Sequence, residues 1–327
     1  MSTRVLSGTR PTGKLHLGNL LGALENFKEL QGQDAFFMIA DLHALTTEYE
    51  EKTKIAENVT EVVIDYLASG LDPEQCTMFV QSEVLEHANL ALLFSMITPL
   101  GWLERNPTYK DQLAELKGKD LHTHGFLGYP VLQAADIVLY KAEKVPVGED
   151  QLPHLELTRE IIRRFFHLYK KQIFPEPEAV LTRAPKVPGL DGRKMSKSYG
   201  NCIFLADSRE EVTKKVKTMV TDPARKLRSD KGHPEVCPVY FYHTLFNKDQ
   251  AVTVAHECGN ALRGCVDCKM EMAAKLNGFM DPIRERRESW MKKKTEMRQI
   301  LDRGAKRARE VASQTLKETL QAMGLVS

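Results

Sequence analysis

The chain has 327 residues, enough for about two domains of ordinary size. Hydrophobic residues make up 42% of it, charged residues 28%, and the formal net charge is +2. This composition is typical of a globular protein with a buried core, and it excludes collagen-like, low-complexity and wholly disordered chains, while no apolar run reaches the roughly 18–20 residues of a membrane span.

The first third of the chain predicts strands that alternate with helices. Apolar runs indicate buried strands, and apolar residues spaced three and four apart indicate helices. Six segments show these patterns in turn: a strand at 4–7, a helix at 17–30, a strand at 35–40, a helix at 52–68, a strand at 77–81 and a helix at 87–96. Such alternation predicts an α/β fold with a parallel sheet.

The remaining two thirds of the chain are predicted to be mainly helical. The segment 103–174 has its clearest helices at 131–142 and 152–168, and four prolines between 175 and 188 mark loops. We place a domain boundary near residue 205, with an α-helical domain at 206–327. Residues 281–327 hold twelve Lys and Arg against seven Asp and Glu, which indicates either a polyanion partner or a solvated helix face with salt bridges.

A glycine-rich loop, Gly8 to Lys14, joins the first strand to the first helix. Its spacing matches the phosphate-binding loop G-x-x-x-x-G-K, but that motif requires Ser or Thr next, to bind magnesium, and here Leu15 follows. The sequence therefore argues against a P-loop NTPase. The helix then opens with His16-Leu-Gly-Asn19, in which His and Asn offer neutral donors at the positive end of the helix dipole.

A second motif, Lys194-Met-Ser-Lys-Ser198, lies in a loop between Gly192 and Gly200. Two lysines and two hydroxyls in five residues form a cationic clamp. Phosphoryl and nucleotidyl transfer depend on such charge placed against phosphate oxygens. The two motifs together predict an enzyme that acts on a nucleotide.

With these motifs, the chain resembles the class I aminoacyl-tRNA synthetases over its whole length, and within them the bacterial tryptophanyl-tRNA synthetases. Further matching stretches are Ser7–Gly13, Ala40–Thr46, Tyr129–Ile137 and Val145–Gln151. The resemblance implies a Rossmann catalytic domain at 1–205 with a helical insertion at about 103–174, and an anticodon-binding domain at 206–327. It also implies a homodimer.

The reaction that the resemblance implies is the ligation of L-tryptophan to tRNA(Trp). ATP, with Mg²⁺, and tryptophan form tryptophanyl-adenylate and pyrophosphate, and tryptophan then passes to the tRNA 3′ end. No general base is needed, because the substrate carboxylate is ionised at neutral pH. The absence of an apolar segment near the N-terminus leads us to expect a cytoplasmic protein without a secretory signal.

The resemblance assigns an ATP site and catalytic residues. Lys194 and Lys197 would bind the β- and γ-phosphates, and Val187 would lie beside adenine. Asn19 stands where many class I enzymes have a second His, which fits positioning better than proton transfer. The residues assigned to ATP are Arg10, Pro11, Thr12, Gly18, Asn19, Gly148, Glu149, Asp150, Val187, Lys194, Met195, Ser196, Lys197 and Ser198. The catalytic residues among them or beside them are His16, Asn19, Lys194, Ser196 and Lys197.

The resemblance assigns the choice of amino acid to Asp136. This carboxylate lies in an apolar helical segment, where it is costly without partners, and in the family it accepts the indole N–H. A site built to receive a hydrogen bond can reject an analogue that lacks the donor by about 10⁴–10⁵. The other residues assigned to tryptophan are Gly8, His43, Tyr129, Gln133 and Gln151.

Four cysteines in the second domain form the pattern C-x20-C-x6-C-x2-C: Cys237, Cys258, Cys265 and Cys268. Three thiols within eleven residues predict a metal site, and by charge four thiolates suit zinc and a 4Fe–4S cluster equally. A subset of bacterial tryptophanyl-tRNA synthetases has a similar pattern with a 4Fe–4S cluster, so the resemblance implies iron–sulfur, with zinc as the alternative. Arg225, Lys226 and Arg228 are candidates for binding the RNA backbone.

Two other functions remain as alternatives. Tyrosyl-tRNA synthetase shares the fold and the dimer, although Gly148–Gln151 and Asp136 argue against it. The second alternative is a nucleotide- or RNA-binding relative that has lost catalysis, and the intact Lys194 and Lys197 argue against that.

Overall fold

The computed structural model describes residues 3–50, 54–110, 121–181 and 186–326. The chain forms two compact units. The first contains Met1–Gly13, Ala23–Arg183 and Lys293–Ser327, and the second contains Lys14–Gly22 and Ala184–Lys292. These units differ from the predicted division at residue 205, because 293–327 pack with the first unit. The functional domain boundary stays a prediction.

The first unit is built on one parallel sheet of five strands. In space the strands follow the order β3-β2-β1-β4-β5. Their bounds are β1 (Arg4–Thr9), β2 (Asp34–Ile39), β3 (Thr77–Val80), β4 (Lys144–Val147) and β5 (Glu178–Leu181). The predicted α/β fold with a parallel sheet is confirmed.

The helices follow the strands as the sequence periodicity predicted. A π-helical turn, Leu20–Leu24, continues α1 into α2 in place of the regular helix predicted for 17–30. In chain order the helices are α1 (Leu17–Asn19), α2 (Glu25–Leu30), α3 (Asp41–Glu48), α4 (Lys54–Ser69), α5 (Glu86–Ser95), α6 (Leu100–Glu104), α7 (His124–Leu139), α8 (Leu152–Tyr169), α9 (Arg209–Thr218), α10 (Pro238–Phe246), α11 (Lys248–Gly259), α12 (Cys265–Met291) and α13 (Lys294–Ala322).

The segment 103–174, predicted to be a helical insertion, contains one strand of the sheet. β4 pairs in parallel with β1 on one side and β5 on the other. Four residues that include Pro146 have little strand signal of their own, because proline is depleted in strands. Pairing with two neighbours, and not local propensity, makes this segment a strand.

The core of the first unit lies against both β2 and β3. Five of the six β2 residues are buried, as expected of a strand covered on both faces. Phe36 and Phe79 are fully buried and pack in one cluster with residues of α5, α7, α8 and α13. The sheet is therefore held rigidly, which fixes the loops that leave its carboxyl ends.

The C-terminal helix α13 packs closely on β3 within this unit. A Cβ atom added at Gly304 would lie 1.8 Å from the carbonyl oxygen of Met78, so no side chain fits there. Ala305, Ala308 and Ala312 continue the same small-residue face into the core. Within the described residues, no helix is long and apolar enough to cross a membrane.

The second unit is helical apart from loops and two isolated bridges. It contains α1 and α9 to α12, and α9 and α11 pack with their neighbours through buried valines such as Val212, Val216 and Val254. The bridges join His16 to Phe204 and Pro188 to Lys194. They place the start of α1 and the loop around Lys194 in the same unit.

Candidate active site

The residues predicted to form the site divide between the two units. The first unit holds Gly8, Arg10, Pro11, Thr12, His43, Tyr129, Gln133, Asp136, Gly148, Glu149, Asp150 and Gln151. The second unit holds His16, Gly18, Asn19, Val187, Lys194 to Ser198 and the four cysteines. Each set is described within its own unit.

In the first unit, two predicted ATP-binding segments follow neighbouring strands. The chain runs from β1 to β2 and β3 on one side, and β4 and β5 lie on the other side of β1. Arg10–Thr12 follow β1, and Gly148–Asp150 follow β4. Open α/β sheets bind ligands at the carboxyl ends of the strands where the strand order reverses, and both segments lie at that point.

Of the two glycines at this edge, Gly8 lacks space for a side chain, whereas Gly148 lies against the movable side chain of Asp150. A Cβ atom at Gly8 would lie 2.6 Å from Cγ of Met38, and one at Gly148 would lie 2.6 Å from Oδ1 of Asp150. Asp150 also accepts a hydrogen bond from Nε2 of Gln151 at 2.9 Å. The edge therefore presents backbone and carboxylate groups that can accept from ribose hydroxyls.

Arg10 is the cation of this edge. Its Nη2 donates to Oγ1 of Thr47 at 2.5 Å, and its buried Nε has no hydrogen-bond partner among the described residues. Burial lowers the pKa of Arg10, and the nearby Glu48 and Tyr129 oppose that shift. An incompletely paired buried guanidinium favours binding of an acceptor, because an unsatisfied buried donor is costly.

Three predicted tryptophan-binding residues lie on one face of α7. Tyr129, Gln133 and Asp136 are spaced i, i+4 and i+7, which aligns side chains along a helix. Asp136 is completely buried and accepts from Nε2 of His43 at 2.7 Å. The structure therefore brings His43 and Asp136 into direct contact.

Asp136 has two further partners that the sequence analysis missed. Nε2 of Gln81 lies 2.8 and 2.9 Å from its two carboxylate oxygens, and Nδ1 of His87 lies 2.6 Å from Oδ1. Gln81 follows the carboxyl end of β3, and His87 lies in α5. In the sequence, the signals for these two partners were a polar residue at the end of a strand and a histidine in an apolar helix.

The partners keep Asp136 ionised. Burial favours the protonated form, but the charges and hydrogen bonds of His43 and His87 outweigh it and lower the pKa of Asp136 to about 2. The carboxylate is therefore an obligate hydrogen-bond acceptor at neutral pH. This side chain is inaccessible to solvent.

Tyr129 is held by a second buried imidazole, also missed from sequence. Its hydroxyl lies 3.0 Å from Nε2 of His154, whose Nδ1 accepts from Nδ2 of Asn106 at 3.1 Å. Asn106 is oriented by the N–H of Thr108, which donates to its Oδ1. Burial, which has the larger effect, and the charge of His43 both lower the pKa of His154 to about 4. The His154 ring is therefore neutral.

In the second unit, His16 and Asn19 cap α1 reciprocally. Nδ1 of His16 accepts from the Asn19 N–H at 3.3 Å, and Oδ1 of Asn19 accepts from the His16 N–H at 3.0 Å. Burial, with Lys197 and Lys194, lowers the pKa of His16 to about 4. The ring of His16 is therefore neutral, and because Nδ1 accepts, its hydrogen is on Nε2. Gly18 lies against this ring, since its Cβ would be 3.0 Å from the imidazole.

Asn201 organises the Lys194–Ser198 loop. Its Oδ1 accepts from the Ser196 N–H at 2.8 Å, and its Nδ2 donates to the Lys194 carbonyl at 3.2 Å and to Asp191 at 2.7 Å. Ser196 and Ser198 exchange a hydrogen bond of 2.9 Å between their hydroxyls. Asn201 is buried and was not predicted.

The loop presents two lysines of different character. Lys194 is exposed, whereas burial lowers the pKa of Lys197 to about 8. Met195 is buried and donates its N–H to the carbonyl of Val187 at 2.9 Å. Val187 is itself buried, so it lies beneath the loop that carries both lysines.

The four predicted metal ligands line one pocket of the second unit. Cys237, Cys258, Cys265 and Cys268 share this pocket with Arg225, Arg263 and Tyr240. Nη1 of Arg225 lies 3.6 Å from Sγ of Cys258, and Nε2 of His243 lies 3.4 Å from Sγ of Cys268. Four sulfur donors facing one space fit a soft metal centre in their chemistry. In the described ranges, however, no group of three or more His, Cys, Asp or Glu is arranged to hold a metal ion.

Several basic residues are explained by internal pairing. In α13, Arg298 pairs with Glu83, Arg303 with Glu74 and Arg307 with Asp34. Part of the C-terminal positive charge is therefore a salt-bridged helix face. Arg225 was wrong as an RNA-backbone candidate, because it is buried and donates to the carbonyls of Arg228 and Arg263.

Comparison with known proteins shows which family the chain resembles. The family of class I tRNA synthetases for tryptophan and tyrosine matches residues 1–281. A tryptophan–tRNA ligase from Thermotoga maritima is 53% identical over 99% of both chains, and one from Aquifex aeolicus is 44% identical over 98% of this chain and 100% of that one.

A solved structure extends the likeness to three dimensions. Tryptophanyl-tRNA synthetase from Campylobacter jejuni, complexed with ADP and tryptophan, has a TM-score of 0.89 at 33% identity and covers 99% of this chain and 100% of its own. The shared fold, the full-length relatives and the motifs at the strand ends lead to one conclusion: this chain belongs to the class I tRNA synthetases for tryptophan and tyrosine.

Proposed function

We infer that this protein is a tryptophan–tRNA ligase. It activates L-tryptophan with ATP, releases pyrophosphate, and transfers tryptophan from tryptophanyl-adenylate to the 3′ end of tRNA(Trp). Full-length likeness to tryptophan–tRNA ligases supports the reaction. The observation that carries the choice of amino acid is Asp136, a buried carboxylate whose partners keep it ionised.

Tryptophan is selected by the hydrogen bond that it can donate. The indole N–H donates to Asp136, and Gly8, His43, Tyr129, Gln133 and Gln151 complete the pocket. Phenylalanine has no such donor, and tyrosine carries its hydroxyl elsewhere on the ring. A site built to receive a hydrogen bond can reject an analogue that lacks the donor by about 10⁴–10⁵, so selectivity requires no editing step.

ATP is bound by segments with complementary chemistry. In the first unit, Arg10–Thr12 and Gly148–Asp150 bind the nucleotide, with the carboxylates accepting from the ribose. In the second unit, His16, Gly18 and Asn19 support the phosphates as neutral donors, and Lys194, Ser196, Lys197 and Ser198 bind the leaving pyrophosphate. Mg²⁺ enters with ATP, and the lysines stabilise the negative charge that grows on the phosphate oxygens.

Amino-acid-dependent exchange of pyrophosphate into ATP tests this function. We expect exchange with tryptophan and none above background with tyrosine or phenylalanine. Lys197→Ala should lower the rate at least 100-fold, while Lys214→Ala, an exposed lysine of α9, serves as the matched charge control. Exchange driven by tyrosine would support a tyrosyl-tRNA synthetase. A wild type as inactive as Lys197→Ala would support a catalytically silent relative.

The pocket of four cysteines is proposed to bind a 4Fe–4S cluster, with zinc as the alternative occupant. Support comes from four thiols around one space and from Arg225 and Arg263 beside them, since cations stabilise thiolates. The group would staple the loops of the second unit near its tRNA-binding surface. Protein purified without oxygen should contain about four iron and four sulfide per chain. One zinc per chain and no iron would identify zinc as the occupant. The control is Cys265→Ser, which lacks one of the four thiols.

We also propose a cytoplasmic homodimer that binds tRNA(Trp). Large apolar side chains between residues 85 and 100 are more than half exposed, which a second copy would bury: Leu85, Leu92, Met96 and Leu100. Sedimentation of the wild type should give twice the chain mass, and Leu92→Glu should shift it toward one chain mass. A monomeric wild type at micromolar concentration would contradict the dimer.

A further inference from the structure

His87 is a completely buried histidine that the proposed reaction does not use directly. It lies in α5 and has no solvent-accessible surface. Its Nδ1 is 2.6 Å from Oδ1 of Asp136, and its Nε2 is 2.8 Å from the hydroxyl of Tyr140. These three side chains form a hydrogen-bonded relay beneath the tryptophan pocket.

The direction of the relay follows from the chemistry of its members. An ionised carboxylate can only accept, so Nδ1 of His87 carries the hydrogen and donates to Asp136. Burial and the charge of Asp136 raise the pKa of Tyr140, so the phenol keeps its proton. Nε2 of His87 lies 2.8 Å from the oxygen of that phenol. The hydrogen on Nδ1 therefore points toward Asp136.

The two oxygens of Asp136 have different surroundings. Oδ1 is held by His87, which is fully buried, whereas Oδ2 is held by His43, which is 7% exposed. Gln81 bridges both oxygens. The carboxylate itself is completely buried, and of its two histidine partners only His43 has solvent-accessible surface, so His87 holds the carboxylate from behind without reaching a ligand.

We propose that His87, oriented by Tyr140, is a positioning residue for specificity: it fixes Asp136 as an anionic acceptor for the indole N–H. The inference rests on the proposed role of Asp136 in tryptophan recognition. Without the Nδ1–H donor, the carboxylate loses a charge-assisted hydrogen bond in an apolar site, where the neutral acid is favoured. A protonated Asp136 can itself donate a hydrogen bond, so the preference of the site for a ligand with an N–H group falls.

A purely structural role for His87 makes a different prediction. The His87 ring lies 5.9 Å from that of Phe79 and 5.4 Å from that of Tyr140, so it also fills the core. Loss of packing alone would lower stability and would affect all substrates alike. Loss of the relay affects tryptophan more than an isostere without the N–H.

The experiment compares tryptophan with 3-(benzothiophen-3-yl)alanine, in which sulfur replaces the N–H. In pyrophosphate exchange, the wild type should strongly prefer tryptophan. His87→Leu should lower kcat/KM for tryptophan about 10- to 100-fold, mainly through KM, and leave that of the isostere within about twofold. His87→Asn keeps a donor near the Nδ1 position and should restore most of the preference.

Two further variants keep the test decisive. Tyr140→Phe removes only the hydroxyl and should lower the preference about threefold to tenfold in a folded protein. Phe79→Leu perturbs the packing around the His87 ring without removing any hydrogen bond of the relay, and it should leave the preference unchanged. A wild-type preference in His87→Leu and Tyr140→Phe, or an equal loss in Phe79→Leu, would overturn the inference. A wild type that activates both amino acids equally would instead overturn the assignment of Asp136.

Discussion

The close approach of α13 to β3 makes Gly304→Ala a sharp test of the packing. The new Cβ would lie 1.8 Å from the Met78 carbonyl oxygen and 2.7 Å from its carbonyl carbon, and both are backbone atoms that cannot rotate away. Normal contact requires more than 3 Å, so the helix would have to move outward by over 1 Å. That shift would separate Ala305, Ala308 and Ala312 from the core.

The expected loss of stability follows from two opposing effects. Overpacking of a core costs about 1–3 kcal/mol or more, and alanine gains roughly 1 kcal/mol over glycine in helix propensity. Because the clash is with backbone, we expect the upper part of that range and a net loss of about 2 kcal/mol. This corresponds to a Tm lowered by roughly 4–8 °C if the first unit melts like a domain of 150–250 residues.

A matched glycine provides the control. Gly128 lies in α7 of the same unit, and a Cβ there meets nothing within 4 Å. Gly128→Ala should therefore leave the Tm unchanged or raise it slightly. Calorimetric melts of the three proteins measure the difference. Equal Tm values for Gly304→Ala and Gly128→Ala would refute the packing of α13 on β3.

Three other substitutions test the site. Asp136→Asn should lower kcat/KM for tryptophan about 100-fold, because a neutral amide replaces a charged acceptor; a change below threefold in pyrophosphate exchange would contradict its role. Lys197 loses its charge as the pH rises through about 8, so kcat/KM for ATP should fall above that pH. Lys197→Arg, which stays charged, should remove this fall. A wild-type profile that stays flat to pH 9.5 would count against the role of the Lys197 charge. Asn201→Ala removes the hydrogen bonds that hold the Lys194–Ser198 loop and should lower kcat about 10-fold, whereas Asn260→Ala on an exposed helix end should not.

The local elements and motifs of this protein were readable from its sequence. Apolar runs and helical spacing predicted β1 to β3 and the helices between them, because those patterns depend only on near neighbours. The two nucleotide motifs were recognisable because close backbone approach and phosphate binding demand particular residues at particular spacings. Asp136 stood out as a charge in an apolar helix.

Long-range packing decided the rest. β4 is a strand because β1 and β5 pair with it, although it has only four residues and contains Pro146. α13 packs with the first unit because Gly304 and the alanines after it fit against β3. Neither the pairing of β4 nor the packing of α13 on β3 can be recognised from the residues of that segment alone.

The site residues divide in the same way, into those identified from the sequence and those that only the fold reveals. Sequence identified Asp136 and His43, but Gln81 and His87 contact Asp136 from two other parts of the chain that only the fold brings together. Their hydrogen bonds decide that the carboxylate is charged, which the sequence could not. The sequence specifies which side chain stands at each position, whereas the ionisation of that side chain depends on neighbours that are distant in sequence.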